Sequence, residues 1–145
     1  MGRLHSIPLQ PLERKIDAFI DLFSLGNVRY ELLLNYSKGM RQKSLLSAAL
    51  LRNPEVLILD EPFSGLDVSA ALVLRNLLKA LARDGKVILY SSHVLEVVEK
   101  VCCEVFILHK GKIVADDTVE RLRELQASPS LESVFAQLAG RPPTL

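Results

Sequence analysis

Apolar residues recur at helical spacing in several parts of the chain. The first such segment has its apolar side chains at positions i, i+3, i+4 and i+7, namely Ile16, Phe19, Ile20 and Phe23. This spacing predicts an amphipathic helix that begins near Leu12 and ends at Gly26. Further helices are predicted over residues 29–34, 39–52, 67–83, 119–126 and 131–139, and from Ser91 or Ser92 to about Val101.

Residues 56–60 form an apolar run that ends in a carboxylate and is followed by Glu61 and Pro62. An unbroken apolar run of this length is typical of a strand that is buried on both faces of a parallel sheet. Residues 86–90 are predicted to form a second strand. The helix between the two strands predicts a right-handed parallel crossover.

Lys110-Gly111 separates two further apolar segments, residues 104–109 and 112–115, and predicts a two-residue hairpin. Asp67 is a good N-cap for the helix over residues 67–83, and Gly85 is a good residue to end it. These elements together predict an α/β fold with a parallel sheet and a short helical tail.

The composition argues against several classes of function. The chain has 145 residues and a formal net charge of +1, so charge gives no reason to expect binding to nucleic acid. Hydrophobic residues make up 49% of the sequence, but no apolar run is long enough to span a bilayer. The adjacent Cys102 and Cys103 suit neither a disulfide nor a zinc site and indicate a cytoplasmic thiol pair.

Asp60 and Glu61 are the strongest candidates for chemistry. Open α/β sheets bind their ligands at the carboxyl ends of the strands, which is where this pair falls. A nucleotide triphosphatase needs one carboxylate for the Mg²⁺ shell and another to orient the attacking water. Asp60 suits the first task and Glu61 the second. The alternative is a solvated acidic pair at a strand end, which the following Pro62 and residues 64–67 make unfavourable.

A second candidate site lies at the start of the helix over residues 39–52. The segment Ser37-Lys38-Gly39-Met40 combines a hydroxyl, a glycine backbone and a helix N-terminus, which together favour an anion. The alternative is an ordinary N-cap, in which the Ser37 hydroxyl accepts from a backbone amide. Without the neighbouring motifs, the segment favours the N-cap role over the anion site.

Three motifs occur in a fixed order: residues 36–43, residues 56–67 and Ser91-Ser92-His93. In this order and spacing they resemble the C-terminal part of an ABC-family ATPase domain. The family pattern usually has glycine where this chain has Lys38, and often glutamine where it has Met40. The resemblance covers about residues 1–140, and residues 131–135 are similar to the tail of exporter ATPase subunits.

The resemblance implies a role for each candidate residue. Glu61 and His93 would be catalytic, with His93 linking the γ-phosphate of ATP to Glu61, and Asp60 would hold Mg²⁺ through water. The remaining residues would contact ATP bound to the opposite subunit: Ser37, Lys38, Gly39, Met40 and Asp67. The implied cofactors, ATP and Mg²⁺, are expected only in a complete domain or dimer.

The resemblance also implies an architecture and partners. The fold would be a partial P-loop NTPase (RecA-like) sheet, with part of the helical signature subdomain in residues 1–53, the end of the ATPase core in 54–118 and a helical tail in 119–145. A second ATPase subunit and a membrane permease are the implied partners, with no nucleic acid. The implied location is cytoplasmic, on the inner face of the cell membrane.

The phosphate-binding loop of such ATPases is missing from the sequence. The pattern Gly-x-x-x-x-Gly-Lys-Ser/Thr does not occur. We therefore expect Met1 to be an internal position of a longer domain, and the missing phosphate-loop strand to belong between residues 86–90 and 104–109. Three functions stay open: an ABC exporter ATPase subunit that is inactive without its other half, a non-catalytic half-domain that acts by association, and an ABC-type ATPase outside transport.

Overall fold

The computed structural model describes residues 9–139, which divide into two compact units, residues 9–91 and 92–139. The helices are α1 Leu9–Leu22, α2 Lys38–Leu50, α3 Val68–Arg83, α4 Leu95–Val101, α5 Val119–Leu125 and α6 Leu131–Ala139. The strands are β1 Val56–Leu59, β2 Val87–Tyr90, β3 Glu104–His109 and β4 Lys112–Thr118. Across residues 9–139, no helix is both long and apolar enough to cross a membrane.

In the first unit, β1 and β2 pair in parallel, with Val56 opposite Val87 and Leu59 opposite Tyr90. The predicted parallel strand–helix–strand arrangement is therefore confirmed. The core of this unit lies between one face of the sheet and the helices, and its buried members are Phe23, Leu25, Leu46, Leu50, Leu57, Leu74 and Leu78.

The expectation that β1 is buried on both faces is wrong for the part of the chain that the structure describes. Leu57 is buried in the core, but its neighbour Ile58 is 74% exposed. Val56, Val87 and Leu89 are exposed as well. Successive side chains of a strand point to opposite faces, and the described residues supply a helical layer for only one of them.

The helix α3 follows its sequence signals closely. Its first turn is capped by Asp67, whose Oδ1 accepts from the Ala70 amide at 2.8 Å. Leu74 and Leu78 are buried on its inner face. Gly85 follows with φ +85°, a left-handed conformation that glycine adopts without strain.

Two predicted local features are wrong. Residues 29–34 do not form one helix, and short 3₁₀ turns lie at Gly26–Val28 and Leu33–Asn35 instead. The leucines of this segment are exposed, so it has no buried stripe to stabilise a helix that is too short to form alone. The predicted serine cap of α4 is also absent, because α4 begins at Leu95 after Val94 and Ser92 Oγ accepts from the Val94 amide in a local turn.

The second unit contains the predicted hairpin. β3 and β4 pair antiparallel, with a register shift between Ile107 and Leu108, and β4 runs three residues further than predicted. Lys110 and Gly111 both have positive φ, as a two-residue hairpin turn requires. In the tail, Thr118 caps α5, and Ser130 Oγ accepts from the Ser133 amide at the start of α6. The predicted three-part division of the chain stays a prediction.

Candidate functional site

The acidic pair lies where β1 ends, and Ser91 at the end of β2 holds it in place. The Ser91 hydroxyl donates to Asp60 Oδ1 at 2.5 Å and accepts from the Glu61 amide at 3.0 Å. The Ser91 amide donates to the Leu59 carbonyl at 3.0 Å, which continues the ladder between the strands. Ser91 therefore fixes the backbone that carries both carboxylates. Ser91 was singled out from the sequence as a candidate helix cap and as part of the Ser91-Ser92-His93 motif, but this role was not predicted. The position of Ser91 directly after the neighbouring strand was the available signal.

Glu61 has an unusual backbone conformation. Its φ is +44°, in the left-handed region, which costs a non-glycine residue about 1–2 kcal/mol. Its carbonyl accepts from the Ser64 amide at 3.0 Å, closing a turn with the buried Pro62 at the second position. The chain therefore changes direction in a turn that begins at Glu61. Strain of this kind persists where surrounding contacts enforce it, and it concentrates at functional sites.

Ser37 occupies the N-cap position of α2. Its Oγ accepts from the Met40 amide at 3.2 Å, and its backbone is extended as an N-cap requires. The cap predicted as the alternative role is therefore present in the structure. Ser37 and Lys38 are both exposed, so these two side chains stay accessible although Ser37 caps the helix.

The segment of residues 37–40 lies directly against the turn of residues 61–67. A Cβ added to Gly39 would lie 2.6 Å from the Gly65 carbonyl oxygen, closer than real side chains allow. The aliphatic part of Lys38 lies over Gly65, whose φ is +74°. The segment that contains Ser37, Lys38, Gly39 and Met40 therefore packs on the turn that follows Asp60 and that includes Glu61 and Asp67.

We expect Gly39→Ala to lower the free energy of unfolding by about 1–2 kcal/mol. The added methyl group forces the segment away from the Gly65 carbonyl, and this overpacking outweighs the roughly 1 kcal/mol that alanine gains in helix propensity. Urea unfolding measures the change. Gly26→Ala is the matched control, because a Cβ there meets nothing within 4 Å. Equal stability of the two variants would contradict the close contact.

Asp67 has both carboxylate oxygens engaged within its own chain. Oδ1 accepts from the Ala70 amide, and Oδ2 accepts from Lys43 Nζ at 2.9 Å. The Ala70 amide, and then the Lys43 ammonium, hold the pKa of Asp67 below its usual value. The predicted cap role is confirmed, while the predicted contact with ATP of another subunit stays a prediction.

Two residues of this arrangement were not singled out from the sequence. Lys43 pairs with Asp67, and Gln42 Nε2 donates to the Pro62 carbonyl at 3.2 Å. Both lie one turn into α2, directly after the segment of residues 37–40. Polar residues that follow a candidate motif at helical spacing were the available signal.

Asp60 fits a magnesium ion that is held mainly through water. Its side chain is exposed, and one of its oxygens is engaged by Ser91. Among residues 9–139, no group of three or more His, Cys, Asp or Glu side chains could hold a metal alone. Mg²⁺ often takes one or two protein carboxylates, with water and phosphate oxygens completing its shell. The arrangement therefore suits a metal that arrives with a nucleotide.

His93 is exposed and lies in the second unit, just before α4. Its predicted link between the γ-phosphate and Glu61 stays a prediction.

Comparison with protein families gives a match over most of the chain. The family model described as "AAA domain, putative AbiEii toxin, Type IV TA system" matches residues 10–99. This range contains β1, β2 and every site residue predicted from the sequence.

Proteins similar to this chain include ABC transporter ATP-binding proteins. The ABC transporter ATP-binding protein NatA of Bacillus subtilis is 31% identical over 134 residues, which cover 92% of this chain and 54% of NatA. The uncharacterized ABC transporter ATP-binding protein MJ1023 of Methanocaldococcus jannaschii is 37% identical over 119 residues, which cover 82% of this chain and 45% of that protein. The chain thus spans about half the length of these relatives.

A solved structure, described as the ATP binding subunit of an ABC transporter, superposes with a TM-score of 0.86 at 29% identity. The match covers 94% of this chain and 58% of that one. The predicted α/β fold, a partial P-loop NTPase, is confirmed, as is the resemblance to part of an ABC ATP-binding domain. The chain belongs to the AAA domain family and matches ABC transporter ATP-binding proteins over about half of their length.

Proposed function

We propose that the chain belongs to an ATP-hydrolysing subunit of an ABC transporter, of the exporter type. In this proposal it provides the signature segment, residues 37–40, and the catalytic-site carboxylates Asp60 and Glu61. One observation carries this proposal. The segment of residues 37–40 packs on the turn that follows Asp60 and Glu61, at the carboxyl end of two parallel strands. Parallel sheets bind nucleotides at this end. The similarity to ABC transporter ATP-binding proteins supports the same assignment.

In this proposal the two carboxylates have different tasks. Asp60, exposed at the strand end, would hold Mg²⁺ through water, and the bound metal would supply positive charge opposite the phosphates of ATP. Glu61 is half-buried and orients the attacking water, and His93 contacts the γ-phosphate. The Ser91 hydroxyl group holds the Asp60 carboxylate and the backbone of Glu61.

The signature segment acts on a second nucleotide. Residues 37–40 and Asp67 contact ATP held by a partner ATPase subunit, so the active form is a homodimer or heterodimer. The proposed reaction also requires a phosphate loop, whose pattern does not occur in this sequence. The assembly works on the cytoplasmic side of the membrane, bound to a permease subunit, without nucleic acid.

A second candidate function is association without catalysis. The exposed apolar face of the sheet favours it, because Val56, Ile58, Val87 and Leu89 lie open side by side. A patch of this kind marks a surface that another polypeptide covers. Both candidates need such a partner, but only the first requires Asp60 and Glu61 to act on ATP.

Asp60→Asn tests the proposed function in a complete ATPase that joins these residues to a phosphate loop. Loss of the charge should weaken Mg²⁺-dependent ATP binding roughly 10- to 100-fold, as for other residues that hold a metal through its outer shell. Titration with ATP at several Mg²⁺ concentrations measures the effect. Asp84→Asn, at the exposed end of α3, is the matched control. Unchanged Mg²⁺ dependence in Asp60→Asn would rule out the metal role.

A further inference from the structure

We propose that Lys43 and Gln42 are positioning residues that fasten the segment of residues 37–40 to the turn of residues 61–67. The two parts of the site then move as one body. This inference rests on the proposed function for its meaning, because only in an ATPase do the two parts serve two different nucleotides. The contacts themselves are independent of that function.

Three residues on one face of α2 contact the turn of residues 61–67. Gly39, Gln42 and Lys43 are spaced i, i+3 and i+4, which places them together on the helix surface. They meet the turn at Gly65, at Pro62 and at Asp67, respectively. The turn is therefore held near its start, in its middle and at its end.

The ion pair joins a lysine that is mostly buried to an exposed carboxylate. The Lys43 side chain is only 13% exposed, whereas the Asp67 side chain is 59% exposed. A lysine buried to this degree needs a partner for its charge, and Asp67 provides it at 2.9 Å. Asp67 also caps α3, so the same carboxylate joins α2 to the start of α3.

The consequence for the reaction is a link between two nucleotide sites. Ser37 belongs to the part that would contact the partner's ATP, and Glu61 belongs to the part that would act on the chain's own ATP. Because Lys43 and Gln42 join these parts, ATP bound in the partner fixes the position of Glu61. The proposed role of Lys43 is therefore to transmit the position of the segment to the turn that carries Glu61. Lys43 does not itself contact nucleotide in this proposal.

Amide hydrogen exchange of the 145-residue chain, followed by NMR, tests the link without nucleotide. Lys43→Met should raise the exchange rates of the Met40 amide in the segment and the Leu66 amide in the turn by the same factor, about two- to fivefold, the effect of losing one ion pair. Lys43→Arg should restore both rates. Lys100→Met, which removes the exposed pair with Glu96 on α4, is the matched control and should change neither rate.

A purely local role for Lys43 predicts a different pattern. If Lys43→Met accelerates only one of the two amides, or neither, the segment and the turn are not fastened together and the inference fails. Failure of the ATPase assignment would show elsewhere, in the Mg²⁺ dependence of Asp60→Asn. The two proposals can therefore fail separately.

Discussion

Glu61→Gln, in a complete ATPase that contains these residues, should abolish ATP turnover and leave Mg-ATP binding intact. The amide keeps the shape of the side chain but lacks the negative charge that polarises the attacking water. We expect turnover to fall by about 10²–10⁴-fold, the usual contribution of a general base. Phosphate release measures turnover, and equilibrium titration with Mg-ATP measures binding.

Glu55→Gln is the matched control for this prediction. Glu55 is an exposed glutamate just before β1, at the opposite end of the strand from Glu61, and the change of charge is the same. It should retain normal turnover. Near-normal turnover in Glu61→Gln would show that Glu61 is not the catalytic carboxylate and would favour association without catalysis.

The elements that the sequence predicted well are those with complete local signals. α3 has a cap at Asp67, leucines at helical spacing and a terminating Gly85, and all of these lie within twenty residues of one another. The hairpin at Lys110-Gly111 is equally local, since the turn itself sets the pairing of its strands. Such signals need no knowledge of the rest of the chain.

The exposure of β1 could not be predicted in this way. An apolar run shows that both faces of a strand suit burial, but it does not show which part of a polypeptide covers each face. In the described residues, helices cover the side of Leu57 and leave the side of Ile58 open. The sequence pattern thus indicates that β1 suits burial on both faces, but it does not show that both faces are covered.

The supporting residues of the site were missed because their partners are distant in sequence. Ser91 bonds to Asp60 across 31 residues, and Lys43 pairs with Asp67 across 24. The left-handed backbone of Glu61 likewise depends on the contacts around the turn. Periodicity and local motifs identify the residues that carry the chemistry, but only the fold reveals which side chains hold them.

Ser37→Arg should block ATP-dependent dimerisation of a complete ATPase without unfolding it. A bulky cation at position 37 would stand where the partner's nucleotide is proposed to bind, whereas loss of the N-cap costs only about 1 kcal/mol. Urea unfolding should therefore show a small loss of stability. Ser24→Arg is the matched control, because it adds the same bulk and charge at an exposed serine outside this segment and should still dimerise.

The central claim is that the segment of residues 37–40 acts on a nucleotide held by another subunit. Light scattering of the complete ATPase with Mg-ATP tests it most directly, in the Glu61→Gln background, where slow turnover should preserve the ATP-bound dimer. The account predicts a dimer when position 37 is serine, or when arginine stands at position 24 instead, and a monomer when position 37 is arginine. A dimer that still forms with Ser37→Arg would contradict the claim and leave Ser37 as the cap of α2 alone.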